Sequence, residues 1–383
     1  MTAGALDGLV VADFSRVLAG PYATMMLADM GAHVVKIERP GVGDDTRAWA
    51  PPRDEAGTAT YFTAVNRNKS SVVLDLADPS GREEALRIVA GADIVVENFR
   101  AGTMERLGLG YERLSTVRPG LVYCAITGFG RAGGAELPGY DLLAQAMGGL
   151  MSITGPDPDT PTKVGVALVD VLTGMHALAG VLAAIRHRDR TGEGQRVDVD
   201  LLSTLLSSLV NQGSAYLGAG VVPTASGNAH PSIAPYELFD TADRPLALAV
   251  GTDRQFAALC DVLGLCESAG DDRFRTNADR VAHRGELAPL LQAALRTNTA
   301  EHWFGVLTAR GIPAGPVNDV AEAIAFADRI GNEPVVEVGA ARVRQVANPI
   351  SLSHTPVRYR SAPPELGEHT AVELPASSEQ LRL

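Results

Sequence analysis

The chain has 383 residues, 46% of them hydrophobic, and a formal net charge of −12 at pH 7. This length and composition allow a large buried core and predict two domains. The negative charge argues against nucleic acid and anionic membranes as partners, and the apolar runs are interrupted too often to predict a membrane span.

The three cysteines are Cys124, Cys260 and Cys266. Their odd number and irregular spacing fit neither a disulfide framework nor a metal site, so we expect reduced thiols and no metal. The first residues lack the basic and apolar regions of a secretory signal. Together these features predict a cytoplasmic protein.

Short β-branched runs alternate with helical stretches in the first part of the chain. Such alternation predicts an α/β fold with a parallel, doubly wound sheet and right-handed crossovers. Ligands of these folds bind at the carboxyl ends of the strands. Strands are predicted at Leu9–Phe14, His33–Glu38, Ser71–Leu76, Asp93–Glu97 and Leu121–Ile126, and helices at Tyr22–Met30 and Pro79–Ala90.

Neither candidate for a dinucleotide-binding turn is convincing. The first turn, Ser15–Gly20, lacks the G-x-G-x-x-G glycines that let a pyrophosphate approach the backbone, which argues against a nicotinamide or flavin dinucleotide. The pattern does occur at Gly128–Gly133. However, Gly134, Pro138 and Gly139 follow closely, so a loop is predicted rather than the start of a helix.

Arginines follow two of the predicted strands. Arg39 comes directly after the second strand, Arg100 lies at the end of the fourth, and Arg106 follows one short helix later. Guanidinium groups at these strand ends would suit a phosphate-bearing ligand. From spacing alone, the interpretation as solvated surface charges is slightly favoured.

With His176 neutral, Asp170 is the only charged side chain between Lys163 and Arg186, and an apolar, helix-like run follows it to about Arg188. One interpretation is a helix N-cap, in which the carboxylate accepts hydrogen bonds from free backbone N–H groups. The other is a nucleophilic carboxylate at the mouth of a pocket, favoured in its ionised form by the helix N-terminus. Position does not decide between them.

The second part of the chain predicts a smaller unit. Arg196–Asp200 resembles a last strand of the sheet, and Leu201–Leu217 reads as a long helix too apolar for a free surface. Gly218–Ser232, rich in Gly, Pro, Ser and Asn, marks a domain boundary. Beyond it, a strand pair within Tyr236–Val250 precedes helices at Asp253–Leu263, Ala282–Arg296 and Ala300–Ala309.

Stretches spread over nearly the whole chain resemble, in the same order, the family III CoA-transferases, which also include the α-methylacyl-CoA racemases. These stretches are Leu6–Phe14, Leu18–Pro21, Gly31–Pro40, Gly43–Arg47, Asn66–Ser71, Glu97–Arg100, Gly102–Gly110, Gly139–Asp141, Val169–Asp170, Thr191–Gln195, Ala309–Val317 and Ala362–Thr370.

The resemblance implies an α/β fold with a Rossmann-like large domain, made of residues 1–217 and about 331–383. Residues of about 218–330 would form the smaller α+β domain. It also implies an interlocked homodimer, and burial in such an assembly would account for the apolar Leu201–Leu217 helix. Asp170 matches the family's catalytic aspartate.

By the same resemblance, CoA is a substrate and product rather than a permanently bound cofactor. Arg39, Asn98, Phe99 and Arg106 match positions that hold CoA in the family, with Val17 and Leu74 beside it. Arg100 is added to this set from its own place at a strand end.

The implied activity moves CoA from an acyl-CoA to a free carboxylic acid, through an aspartyl–acyl anhydride and an aspartyl-CoA thioester. A loop in the small domain would assist, and its best match is the segment containing Gly227, Asn228 and His230. This segment is shorter than the multi-glycine loop of the formyl-CoA members, which argues against a formyl-CoA and oxalate pairing.

Three alternatives remain. The racemases pair a histidine with the aspartate, but this chain has Tyr140 at the matching position, and His176 does not match. Tyr140 is therefore expected to line the acyl pocket, to donate a hydrogen bond, or to serve only in packing. Acyl-CoA hydrolysis and a regulatory, inactive family member are the other two, although the presence of Asp170 argues against inactivity.

Overall fold

The computed structural model describes residues 3–340 and 342–370, and residues 371–383 of the predicted large domain lie outside this range. The chain forms two compact units. Within the described residues, the first unit contains 3–150, 163–221 and 333 onward, and the second contains 151–162 and 222–332.

The strands are β1 Val10–Asp13, β2 His33–Glu38, β3 Lys69–Val73, β4 Ile94–Glu97, β5 Val122–Thr127, β6 Arg196–Asp200, β7 Tyr236–Asp240, β8 Pro245–Ala249, β9 Ala314–Pro316, β10 Val335–Val338 and β11 Val343–Val346. The helices are α1 Ala19–Asp29, α2 Thr60–Thr63, α3 Pro79–Ala90, α4 Thr103–Arg106, α5 Tyr111–Val117, α6 Asp141–Met147, α7 Leu168–Thr191, α8 Leu201–Ser208, α9 Val210–Ala219, α10 Asp253–Leu263, α11 Cys266–Gly270, α12 Asn277–Ala282, α13 Arg284–Leu295, α14 Ala300–Ala309 and α15 Val320–Arg329.

The first unit is built on a six-stranded sheet of order β3-β2-β1-β4-β5-β6. Every neighbouring pair in this sheet is parallel, and Val11 of β1 is in register with Val34 of β2 and with Ile94 of β4. The prediction of a parallel α/β sheet is confirmed. The order is that of Rossmann folds, in which the chain turns outward in opposite directions from the two central strands. The loops after β1 and β4 therefore diverge and leave a crevice between them.

Helices cover both faces of this sheet. Along β1, Val11 belongs to the core that includes Leu27 of α1 and Val181 of α7. Its neighbour Val10 belongs to the opposite core, with Ile88 of α3, because successive side chains of a strand point to opposite faces. Fully burying one such side chain contributes about 1.5–3 kcal/mol, so both faces contribute to the stability of the unit.

Helix α7 has the length and composition that could cross a membrane, a property the sequence analysis does not predict. In the structure, Val169, Ala177, Leu178 and Val181 of this helix are buried. The helix packs against α1, β5 and β6. This packing in the core of the sheet accounts for its apolar composition.

The second unit contains an antiparallel sheet in which β8 pairs with both β7 and β9. Its core includes Phe239, Leu248, Phe256 and Trp303. The strand pair predicted within Tyr236–Val250 is confirmed.

Residues 151–162 group with the second unit, whereas the sequence division assigns them to the larger domain. Backbone hydrogen bonds explain the difference. Ala225 N donates to Ser152 O over 3.1 Å, and Gly227 N donates to Gly155 O over 3.1 Å.

The predicted single helix Leu201–Leu217 is wrong in detail, because it is divided into α8 and α9. The break falls at Leu209 and Val210, and Val210 has a φ of 43°, in the left-handed region that β-branched residues avoid. None of the residues of α9, all of which the structure describes, is buried.

A network of buried charges lies beneath the loop between β1 and α1. Lys36 Nζ is 2.8 Å from an Asp44 oxygen and Lys69 Nζ is 3.2 Å from an Asp13 oxygen, and all four side chains are fully buried. Lys36 Nζ also donates to the Ser15 carbonyl over 2.8 Å. Burial alone would lower the pKa of Lys36, but the charges of Asp44 and Asp13 outweigh it and raise that pKa.

We expect Lys36→Met to lower the free energy of unfolding by about 3–5 kcal/mol, because it leaves buried carboxylates without their cation. Urea unfolding followed by circular dichroism measures this change. Arg87→Met, which removes an exposed ion pair with Glu84, is the control and should change stability little. Equal effects of the two substitutions would contradict the assigned role of Lys36.

Candidate active site

A cavity of about 190 Å³ lies at the carboxyl ends of the central strands in the first unit. An engineered cavity of about 150 Å³ holds a benzene molecule, so a small acyl group fits. We call it the Asp170 cavity. It is lined by Arg16–Ala19 after β1, Asn98–Ala101 after β4, Ile126–Gly128 at the end of β5, Leu201 after β6, and by Asp45, Gly130, Gly134, Ala135, Leu137–Tyr140 and Asp170.

A second cavity of about 270 Å³, here called the Arg39 cavity, lies at the ends of β1, β2 and β3. Arg16 and Phe99 line both cavities, so the two are adjacent parts of one sheet edge. The wall of the second is largely apolar and includes Phe14, Ile37, Leu74, Leu76 and Leu107, with Arg39 among the charged residues.

Asp170 is the third residue of α7, which begins at Leu168. The interpretation of Asp170 as the N-cap of this helix is therefore wrong. Instead, Asp141 Oδ1 accepts hydrogen bonds from Val169 N at 2.8 Å and from Asp170 N at 3.2 Å. The start of α6 thus supplies the carboxylate that caps α7.

The buried side chain of Gln145 fixes Asp141 in turn. Gln145 Nε2 donates to Asp141 Oδ2 over 2.6 Å. Gln145 Oε1 accepts from Val164 N over 2.9 Å, in the segment that leads into α7. These bonds determine where the first turn of α7, and hence the Asp170 carboxyl, lies.

Asp170 is partly buried and no cation is paired with it among the described residues. Burial, followed by the negative charge of Asp141, raises the pKa of Asp170 to about 7. The pKa of Tyr61 is also raised, first by burial and then by the negative charges of Asp170 and Asp141. The Tyr61 phenol therefore faces the Asp170 carboxyl. The Tyr61 ring meets Trp49 edge to face, with centroids 5.3 Å apart.

The loop after β1 is held in place by Asn98. Arg16 N donates to Asn98 Oδ1 over 2.8 Å, and Asn98 Nδ2 donates to Arg16 O over 2.6 Å. The next residue, Val17, has a φ of 68°, and its N–H lies 3.2 Å from Asp44 Oδ1. Such a conformation is unfavourable for a β-branched residue and persists only where the surroundings enforce it. Both polar atoms of the Asn98 amide are used in this clamp.

Two arginines share one carboxylate at the border of the cavities. Arg16 Nη1 lies 3.2 Å from one oxygen of Asp45, and Arg39 Nη2 lies 2.6 Å from the other. The Arg16 guanidinium also lies over the Phe99 ring, 5.1 Å from its centroid. The positions of both cations are therefore defined before any ligand arrives.

A second carboxyl with an altered pKa lies nearby. Burial raises the pKa of Glu97 to about 7. Glu97 Oε2 accepts a hydrogen bond from Phe99 N over 2.8 Å, which shapes the loop after β4.

The structure brings most of the residues selected from the sequence to this edge. Among the selected residues of the first unit, Arg106 is the exception: it is exposed, and its Nη2 donates to Thr103 Oγ1 over 2.9 Å, while the adjacent Leu107 reaches the Arg39 cavity. Arg39 and Leu74 line the Arg39 cavity, and Phe99 lines both cavities. The Asp170 cavity is also lined by Val17, Asn98, Arg100, Tyr140 and Asp170.

Gly227, Asn228 and His230 lie in the second unit. Gly227 has a φ of 62°, in the region that favours glycine. The His230 ring packs against Tyr236 at a centroid distance of 5.2 Å, and its Nδ1 accepts from Ser232 N over 3.1 Å. In the first unit, His176 Nδ1 lies 2.8 Å from Leu172 O, so this ring contacts its own helix.

Sequence reasoning missed Arg16, Asp45, Asp141, Gln145 and Tyr61. Arg16 had the same signal as Arg39, since both closely follow a strand. Asp141 precedes an apolar run, but no local pattern shows that it caps a helix 27 residues further on.

Comparison with known proteins gives consistent results. The model of "CoA-transferase family III" matches residues 6–370. The chain is 44% identical to the succinate–glutarate CoA-transferase of Agrobacterium fabrum, covering 96% of this chain and 94% of that protein. It is 39% identical to the acetyl-CoA:oxalate CoA-transferase of Acetobacter aceti, again over 96% and 94%. A CAIB/BAIF family protein from Brucella suis superposes with a TM-score of 0.88 at 40% identity, over 97% of this chain and 98% of that one.

We expect Asp170→Asn to raise the melting temperature more at pH 8 than at pH 5. The folded-state pKa of about 7 lies above the ordinary aspartate value of 3.8. Ionisation of Asp170 therefore costs folding free energy progressively as pH rises from about 4 through 7, and the neutral amide avoids this cost.

Differential scanning fluorimetry at the two pH values measures the effect. Asp189→Asn, on the exposed end of the same helix, is the control and should show no pH-dependent gain. An equal gain for Asp170→Asn at both pH values would mean that its carboxyl has an ordinary pKa.

Proposed function

Because the chain belongs to CoA-transferase family III and transfers CoA from an acyl-CoA to a free carboxylic acid, we propose that Asp170 is the nucleophile of this transfer. The observation that carries the proposal is its place. A carboxyl without a paired cation lines a cavity at the crevice between the central strands of the sheet. Ligands of such folds bind there.

The reaction proceeds in four balanced displacements. An Asp170 oxygen attacks the thioester carbon and the C–S bond breaks. The CoA thiolate departs, and an aspartyl–acyl anhydride remains on the enzyme. The thiolate attacks the Asp170 carbonyl and releases the donor as a free carboxylate. The acceptor carboxylate then attacks the aspartyl-CoA thioester and expels thiolate. Finally, the thiolate attacks the acceptor acyl carbon and regenerates the Asp170 carboxylate.

The surroundings of Asp170 suit this sequence. An anhydride is destroyed by water, so the partly buried position of Asp170 favours its survival. A carboxylate with a pKa of about 7 is a stronger base and nucleophile than an ordinary aspartate, yet is substantially ionised at neutral pH. No side chain has to act as a general base, since the attacking groups are already anions.

CoA is proposed to span the two cavities. The apolar wall of the Arg39 cavity, including Leu74 and Phe99, suits the adenine ring. Arg39, Arg100 and Arg106 are proposed to pair with the phosphates. Val17 lies beside the path to Asp170, and Asn98 contributes by holding the loop that carries Arg16 and Val17.

Asp170→Ala should lower the rate of CoA transfer by a factor of about 10⁴ or more, because the variant has no group to carry the intermediates. The rate is measured with succinyl-CoA and glutarate by mass spectrometry of the acyl-CoA products. CoA affinity, measured by calorimetry, should remain close to wild type. Transfer by Asp170→Ala at the wild-type rate would refute the assignment.

The transferred acids are proposed to be dicarboxylic. Succinate, glutarate and oxalate, which occur in the names of two relatives, all carry two carboxylates, and acetate, the donor acid of the second relative, is the one monocarboxylic acid in these two names. The remote carboxylate of such an acid would be repelled by Asp170 and needs a cation nearby. Arg16 and Arg100 are the arginines among the residues lining the Asp170 cavity. Arg16 is the better defined, through Asn98, Asp45 and Phe99, and is proposed to bind the remote carboxylate.

Arg16→Gln should raise the KM for glutarate about 10- to 100-fold, because a charge-assisted hydrogen bond of about 1.5–3 kcal/mol is lost. The matched acceptor is monomethyl glutarate, which has the same chain length but no remote charge. Its KM should be similar in the wild type and the variant. If Arg100→Gln rather than Arg16→Gln discriminated between the two acids, the role would belong to Arg100.

The chain is further proposed to act as an interlocked homodimer in the cytoplasm. Helix α9 carries apolar side chains that are exposed in the isolated chain: Val210 is 70% exposed, Tyr216 57% and Leu217 85%. An exposed apolar face of this kind favours a protein interface. Cys124, Cys260 and Cys266 are all free thiols, in keeping with a reducing compartment.

A further inference from the structure

We propose that Asp141 is a positioning residue for CoA transfer, which fixes Asp170 through the first turn of α7 and weakens its ionised form by like charge. The proposal rests on the role proposed for Asp170. It concerns a carboxylate outside the lining of the Asp170 cavity, which acts through backbone rather than through substrate.

The first part of the proposal follows from hydrogen bonds. A helix N-terminus normally offers free N–H groups to an anion in its first turn. Here Asp141 Oδ1 takes the N–H groups of Val169 and of Asp170 itself. Asp170 is thus held by its backbone, while the donors at this helix start that would stabilise its charge are occupied by another carboxylate.

The second part follows from the groups around Asp170. Asp141 faces it from α6 and Tyr61 from α2. Arg16, Asp45 and Arg100 come from the loops at the strand ends, and Tyr140 precedes α6. Of these, Asp141 is the charged group whose effect on Asp170 is resolved, and it raises the pKa. It therefore destabilises the carboxylate relative to any neutral form.

Both covalent intermediates are neutral forms of Asp170. When the donor acylates an Asp170 oxygen, the negative charge leaves with the CoA thiolate. When that thiolate then attacks the Asp170 carbonyl carbon, the charge leaves with the departing carboxylate. The repulsion from Asp141 is present in the free enzyme and absent in the anhydride and the thioester. Asp141 thus shifts the equilibrium toward the covalent enzyme.

Gln145 makes this arrangement rigid. It is fully buried and binds the second oxygen of Asp141 and the backbone of Val164 at once. Asp141 therefore cannot turn away from α7 when Asp170 becomes ionised. The repulsion is built into the fold and is not relieved by a rotamer change.

The test compares Asp141→Asn and Asp141→Ser with the wild type. Both retain an oxygen that can cap a helix, and neither has a charge. We expect the acidic limb of kcat/KM to move down by about one pH unit in both variants. The fraction of acid-quenched enzyme that carries a CoA adduct, read by intact-protein mass spectrometry at fixed succinyl-CoA, should fall several-fold.

The shift between wild type and variant is diagnostic, rather than the limb itself, because Glu97 titrates in the same range. The second variant covers failure of the first to fold, which melting temperature and CoA affinity monitor. A uniform loss of kcat with an unshifted limb and unchanged adduct fraction would overturn the proposal. If Asp170→Ala were inactive, such a result would refute the role of Asp141 and leave the role of Asp170 intact. An active Asp170→Ala would refute the role of Asp170 itself.

Discussion

The site depends on a pairing of charges that water does not reach. Lys36 and Asp44, both fully buried, join the end of β2 to the loop that follows it. The same two residues bind the carbonyl of Ser15 and the N–H of Val17. The loop after β1 is therefore tied on both sides of Arg16. Burying ions costs several kcal/mol each unless they are paired and hydrogen-bonded. A movement of the loop that broke these contacts would incur this cost, so the backbone is fixed where the two cavities meet.

The same sheet edge holds carboxylates in opposite situations. Burial would raise the pKa of Asp44, but Lys36 and the hydrogen bonds from Thr46 outweigh it and bring the pKa to about 2. Asp170 has no such partner in the part of the chain that the structure describes, and its pKa is raised to about 7. Two aspartates with the same side chain thus differ in pKa because their surroundings differ, and such a difference separates structural from reactive carboxylates. Asp44 is ionised at neutral pH and holds the loop in place, whereas Asp170 is the proposed nucleophile.

Local patterns predicted the strands and helices well, because periodicity and turn residues act over a few positions. β2, α3, α10 and α14 have the predicted bounds. The resemblance, and not the spacing, singled out Asp170 as catalytic. The capping of α7 by Asp141 was out of reach, since it joins residues 28 and 29 positions apart. Arg16 was overlooked although it follows a strand, because its clamp by Asn98 spans 82 positions.

The bridge of Asp45 between Arg16 and Arg39 has a consequence for selectivity in a crowded solution. In the empty protein both guanidinium groups already have an anionic neighbour. A free phosphate or a stray metabolite gains little from them, because it only replaces one anion by another. A ligand that also packs against Leu74 and Phe99 in the Arg39 cavity gains binding energy from this apolar contact, and this energy helps it to displace Asp45 from the arginines. Binding of the long, multiply anchored thioester is thereby favoured over binding of small anions that contact only these arginines.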